Sequence, residues 1–261
     1  MQARPIVLAA LTIGAFAAFT AAATMTTKYR IDITREAKVD LSAVGQPEQD
    51  QKTTTVAFLT VALTDTAGGR SVLAKVDSLR PDSALGVPQQ TIDSARGASA
   101  SAFLSAAGRV SSIKPLNDNA IAAGVFPLLN TLFPRIKGGA KVGDAWTDTL
   151  DYTSPTGQAG SVNVRMVANW VMMPDEMRDG QKARKVQAAY SLAQSGQLSG
   201  PAGEMNLAGT GTGSAIYWLN ADGRLSGAQF SETGASTISS AQLPAPIPVK
   251  STSSVTVTAL K

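Results

Sequence analysis

Ser111-Ser112-Ile113-Lys114 has the spacing of a known nucleophile motif. The S-x-x-K serine of β-lactamases acts from the start of a buried helix and needs S-D-N and K-T-G elsewhere in the chain. Here the segment 109–114 alternates like a strand, stops at Pro115, and has neither companion. Gly209–Gly213 (GTGTG) has the look of a phosphate loop but lacks the closing Gly-Lys-Ser/Thr, and it precedes a strand. Glycines inside a strand mark a bulge or a bend in a curved sheet. Asp144, Asp148 and Asp151 form a carboxylate series. Calcium needs several oxygens converging from a tight loop. On a strand, Asp144 and Asp148 share a face while Asp151 points away, so a solvated face is the expectation.

The chain has no histidine and no cysteine. Imidazole-based nucleophile activation and thiol chemistry are excluded, and zinc, copper and haem lose their usual ligands. A lipid-modified amino-terminal cysteine and disulfides are excluded as well. The expectation is a non-catalytic protein with no metal and no cofactor. The net charge of +4 is scattered over the chain, and charged residues make up only 16%. Lys182, Arg184 and Lys185 have Asp175, Glu176 and Asp179 close by, which fits a solvated strand edge better than a nucleic-acid stripe. No nucleic-acid partner is expected.

The elements that must position these residues begin with an apolar run. Ile6 to Met25 carries no charge and follows Arg4. As a helix it would extend about 30 Å, the thickness of a bilayer core. It fits a cleaved signal peptide with small residues at Ala21-Ala22-Ala23, and it fits a retained signal-anchor. The anchor is the first reading, with residues 1–26 as membrane helix and 27–261 as one exported domain. The amino terminus would then be cytoplasmic and the body periplasmic, at a bacterial inner membrane. Ala10, Gly14, Ala18 and Ala21 would form the helix-packing stripe, and Tyr29 the membrane-interface residue. Cleavage would instead leave a soluble periplasmic protein.

The body alternates with period two. Strands are expected from Tyr29 to Leu41 and over 53–66, 70–79, 102–106, 109–114, 142–152, 161–173, 182–193, 205–219, 224–236 and 249–260. Asn220-Ala221-Asp222-Gly223 is a hairpin signal. Asn117–Leu132 reads as the one helical segment, capped by Asn117 or Asp118 and interrupted by Pro127. Ile121, Val125, Leu128, Leu129 and Leu132 form its apolar face and are candidates to line a core or hold an apolar ligand. Ten or eleven strands with one helix make a mainly-β fold: a large curved antiparallel sheet or half-barrel with the helix on its concave side. Trp146, Trp170 and Trp218 are expected in the core, and Met166, Met172, Met173 and Met177 mainly as core filling.

Lys141-Val142-Gly143-Asp144-Ala145-Trp146, after the linker that starts at Leu132, and the later Asp222-Gly223-Arg224-Leu225 turn resemble a pattern of bacterial exported β-rich domains of unassigned function. The resemblance covers about 132–230 and implies fold more than activity. The strand-helix-strand layout is also similar to periplasmic lipoprotein carriers, whose half-barrels bind acyl chains. Two functions are therefore expected. The first is an accessory or structural subunit of a membrane complex, respiratory or photosynthetic, with membrane-protein subunits as partners. The second is a periplasmic carrier for a lipid or other apolar molecule.

Overall fold

The computed structural model describes residues 23–82, 87–155, 160–178, 180–200 and 203–261. Eleven strands form one antiparallel sheet in the order β5-β4-β3-β2-β1-β11-β10-β9-β8-β7-β6. They are β1 (Thr24–Val39), β2 (Gln49–Thr66), β3 (Gly69–Pro81), β4 (Ser99–Ser105), β5 (Val110–Pro115), β6 (Ala145–Pro155), β7 (Gly160–Arg178), β8 (Gln181–Gly200), β9 (Gly203–Leu219), β10 (Leu225–Ser239) and β11 (Ile247–Leu260). The first and last strands pair mid-sheet, Ile31 opposite Val257. The sheet curls into a half-barrel. The free edges β5 and β6 flank the connection that carries the helical segment.

That segment is three short pieces: α2 (Ala120–Ala123), a 3-10 turn (Phe126–Leu128) and α3 (Leu129–Leu132). A separate turn of helix, α1 (Gln89–Ser94), lies between β3 and β4. The cap of α2 is Asn119, whose side chain accepts from the Ala122 amide, and neither Asn117 nor Asp118 takes this role. Asn117 is instead bound to Ser99 on β4 at 2.9 Å. Pro127 sits in the 3-10 turn, where its missing N–H costs least.

The inward faces of β1, β2, β3, β7, β8, β9, β10 and β11 join the helical segment in one core. The sheet register sets out cross-strand rows on the concave side. Ile33, Val255, Phe230, Ala215, Ala188, Trp170 and Trp146 make one row. Trp146 stacks on Trp170 at 6.4 Å, Trp170 meets Tyr217 at 5.6 Å, and Tyr217 meets Phe230 edge-on at 5.4 Å. Tyr217 donates to the Thr131 carbonyl and Trp146 to the Arg135 carbonyl. This aromatic band therefore fixes the end of the helical segment onto the sheet.

The outward faces carry Lys28, Arg30 and Asp32 on β1 and Thr252, Ser254, Thr256 and Thr258 on β11. This is the reverse of the apolar outer band of a bilayer-spanning barrel. Among the described residues no helix is long and apolar enough to cross a membrane. The packing stripe Ala10, Gly14, Ala18 and Ala21 lies outside the described residues.

Other sequence expectations also change. Thr24 and Met25 belong to β1, opposite Thr64 and Leu63, and so are not the end of a helix. Tyr29, expected at a membrane interface, is 2% exposed, and its hydroxyl donates to the Leu225 carbonyl. Its ring occupies the barrel interior, and burial pushes its pKa up to about 12. Lys141–Asp144 is a turn and not the start of a strand. The Asp144 carboxylate accepts from the Lys141 amide, and Gly143 takes a left-handed φ of 92°.

Candidate functional site

A cavity of about 380 Å3 lies between the helical segment and the concave face of β1, β10 and β11. Its apolar walls include Ile31, Phe230, Val255 and Val257 from the sheet and Leu128 and Leu132 from the helical segment. Of the helix residues expected to line a core or ligand space, Val125, Leu129 and Leu132 are buried, while Ile121 and Leu128 are half-buried against the core. Leu128 and Leu132 face the cavity. Phe126, 2% exposed, is a large core residue that the three- and four-residue spacing passes over.

One row of the sheet places polar groups across this cavity. Arg35, Ser253, Glu232, Gly213 and Tyr190 stand side by side on β1, β11, β10, β9 and β8. Each shares the strand parity of the apolar rows: Arg35 follows Ile31 and Ile33, Glu232 follows Ala228 and Phe230, and Tyr190 follows Val186 and Ala188. That parity was the signal by which the sequence could have exposed them. Tyr190 donates to a Glu232 carboxylate oxygen at 3.3 Å. It does so across Gly213, where a Cβ would stand 2.4 Å from the tyrosine ring. Neighbouring rows repeat the device, with Leu192 lying over Gly211 and Gln194 over Gly209. No register shift interrupts β8–β9, so GTGTG is a strand floor that lets side chains lie flat, and not a bulge.

Burial raises the carboxyl pKa of Glu232, opposed by the Tyr190 hydrogen bond and the Arg35 charge. Burial likewise raises Tyr190, with the Glu232 charge adding to it. Tyr152, on β6, also lines the cavity and is raised by burial first and then by Glu232. Among the described residues Glu232 has no ion-pair partner within 4 Å. The arrangement is an apolar space with a few convergent polar groups, the general form of a small-molecule site.

The other sequence candidates lie elsewhere. Ser111 and Lys114 are on the edge strand β5, with Ser111 exposed. Asp148 is not part of a solvated face. It is half-buried on the inner side of β6 and binds Arg135 at 3.1 Å, and Arg109 closes on its other oxygen. Arg135 is 4% exposed, so its charge requires this carboxylate. Asp144 serves its turn and Asp151 is exposed. No cluster among the described residues could hold a metal ion. Trp170 and Trp218 are buried and Trp146 half-buried. Met172 is buried, whereas Met177 is 67% exposed. Lys182 pairs with Asp175 and Lys185 with Glu176, which neutralises much of the basic group.

No family model matches the chain. No curated protein matches it. Among solved structures it is similar to an anion-selective porin from Comamonas acidovorans at 10% identity and a TM-score of 0.26, over 91% of this chain and 100% of that one.

Proposed function

We propose that this protein is a non-catalytic, exported carrier that holds an apolar or amphiphilic molecule between its helical segment and the concave sheet. The observation that carries the reading is the cavity itself, lined by Ile31, Leu128, Leu132, Phe230, Val255 and Val257 and bordered by the Glu232–Tyr190 pair. Its volume of about 380 Å3 falls in the range of small-molecule sites. Export rests on the apolar run before Thr24, with the body in the periplasm. The test is solvent extraction of the protein isolated from its own compartment, followed by mass spectrometry. A defined lipid or other apolar molecule in near-equimolar amount supports the reading. Clean protein that also takes up no apolar dye contradicts it.

A second reading is the membrane-anchored accessory subunit. It is favoured by the position of β1, which starts at Thr24 and so leaves almost no linker after the apolar run. An anchored sheet would be held at the membrane surface, where partner subunits could contact it. Co-purification of a complex from mildly solubilised membranes supports this reading, and release of the protein by alkaline carbonate opposes it.

A further inference from the structure

The chemistry of the polar row bears on which molecule the cavity takes. The deeper rows, Ile31 with Val257 and Ala228, then Ile33 with Val255 and Phe230, offer only hydrocarbon. The next row outward changes to Arg35, Ser253, Glu232, Gly213 and Tyr190. An amphiphile with its tail under Leu128 and Leu132 would bring its head to this row. There it meets a half-buried carboxylate that accepts a hydrogen bond from Tyr190 and, among the described residues, has no cation within 4 Å. The cation on the row, Arg35, sits two strands away on an exposed position. At about 4.8 Å per strand, their backbones stand roughly 10 Å apart. Water screens Arg35, whereas Glu232 is in the drier place and gains more from a partner.

We propose that the cavity is selective for amphiphiles with a protonated amine head, which Glu232 receives as a charge-assisted hydrogen bond while Tyr190 holds the carboxylate in place. This rests on the carrier reading above. An ammonium donates where the carboxylate has acceptor capacity left after Tyr190. A carboxylate head would instead place two acids together and would have to go to Arg35 at the mouth. A neutral alcohol would gain the hydrogen bond without the charge. Gly213 belongs to the same device, because any side chain there would displace Tyr190 from the carboxylate.

The experiment loads the purified full chain with the neutral dye N-phenyl-1-naphthylamine at pH 7.5 and displaces it with decylamine, decanol or decanoate. Decylamine is expected to compete at about tenfold lower concentration than the other two, the worth of one charge-assisted hydrogen bond in place of a neutral one. Glu232→Gln, shown to be folded by its thermal transition, is expected to bring decylamine to the level of decanol, and Arg35→Gln is expected to keep the preference. The wild-type ranking tests the inference without any substitution. Equal competition by all three, or decanoate as the best competitor, overturns the amine assignment and leaves the carrier reading standing. Failure of the chain to bind the dye overturns both.

Discussion

Glu232 sits on the parity of a buried face, and two consequences follow from that position. Its folded pKa is raised, mainly by burial. The folded state therefore holds this proton more tightly than the unfolded chain does, and stability falls as pH rises from the unfolded to the folded pKa. The groups facing it are Arg35 on β1, Tyr190 on β8 and Tyr152 on β6. Glu232→Gln should raise the thermal midpoint at pH 7.5, and the gain should vanish near pH 4; thermal scans across that window check this. Arg135 gives the opposite case, a buried cation whose partner is present. Asp148→Ala should cost about 3–5 kcal/mol by stranding the buried Arg135, whereas Arg109→Ala, at an exposed site, should cost below about 1 kcal/mol. Denaturant titration of both variants separates them. Asp148 looked solvated in the sequence because its partners come from a linker and from the β4–β5 turn. No spacing along β6 encodes either one.

At the scale of elements, alternation located all eleven strands, because each inner face must be apolar wherever the helical segment or a neighbouring strand covers it. It placed their ends less well. β8 runs on to Gly200 through Ala193, Gln194, Ser195, Gly196 and Gln197, where both faces are small or polar and the period fades. The helical segment was found from its apolar spacing and from Pro127. Its cap was shifted because 117–119 reads Asn-Asp-Asn and only geometry selects Asn119. The glycines of β9 were legible as a bend in the sheet, but their use as a floor for Tyr190, Leu192 and Gln194 needed the register of β8. Gly213→Val should therefore lower stability by about 1–3 kcal/mol, as overpacking does. It should also break the Tyr190–Glu232 contact, visible as a fall of the Tyr190 pKa in ultraviolet difference titration. A variant with unchanged stability and titration would show that the ring does not depend on the open glycine.

For the whole molecule, the strand order was not in the sequence pattern. Pairing of β1 with β11 joins the first and last strands and leaves the seam between β5 and β6, which Arg109 and Asp148 help to clasp beside the linker carrying Arg135. Such long-range pairing depends on which faces fit together, and local periodicity does not record it. The apolar run before Thr24 makes its own prediction at this scale. If the carrier reading holds, intact-mass analysis of protein from the host should find a mature chain starting at Thr24, after Ala21-Ala22-Ala23. A mass that includes Met1 would favour the anchored subunit.

The carrier claim is tested most directly by two neighbouring residues on opposite faces of β11. Val255 lines the cavity, and Ser254 points outward. Titration with N-phenyl-1-naphthylamine should show saturable binding to wild type and to Ser254→Trp. Val255→Trp, shown to be folded by its thermal transition, should bind at least tenfold more weakly because the indole fills the space. Equal binding by all three proteins, or binding by none, would contradict a ligand site between the helical segment and the sheet.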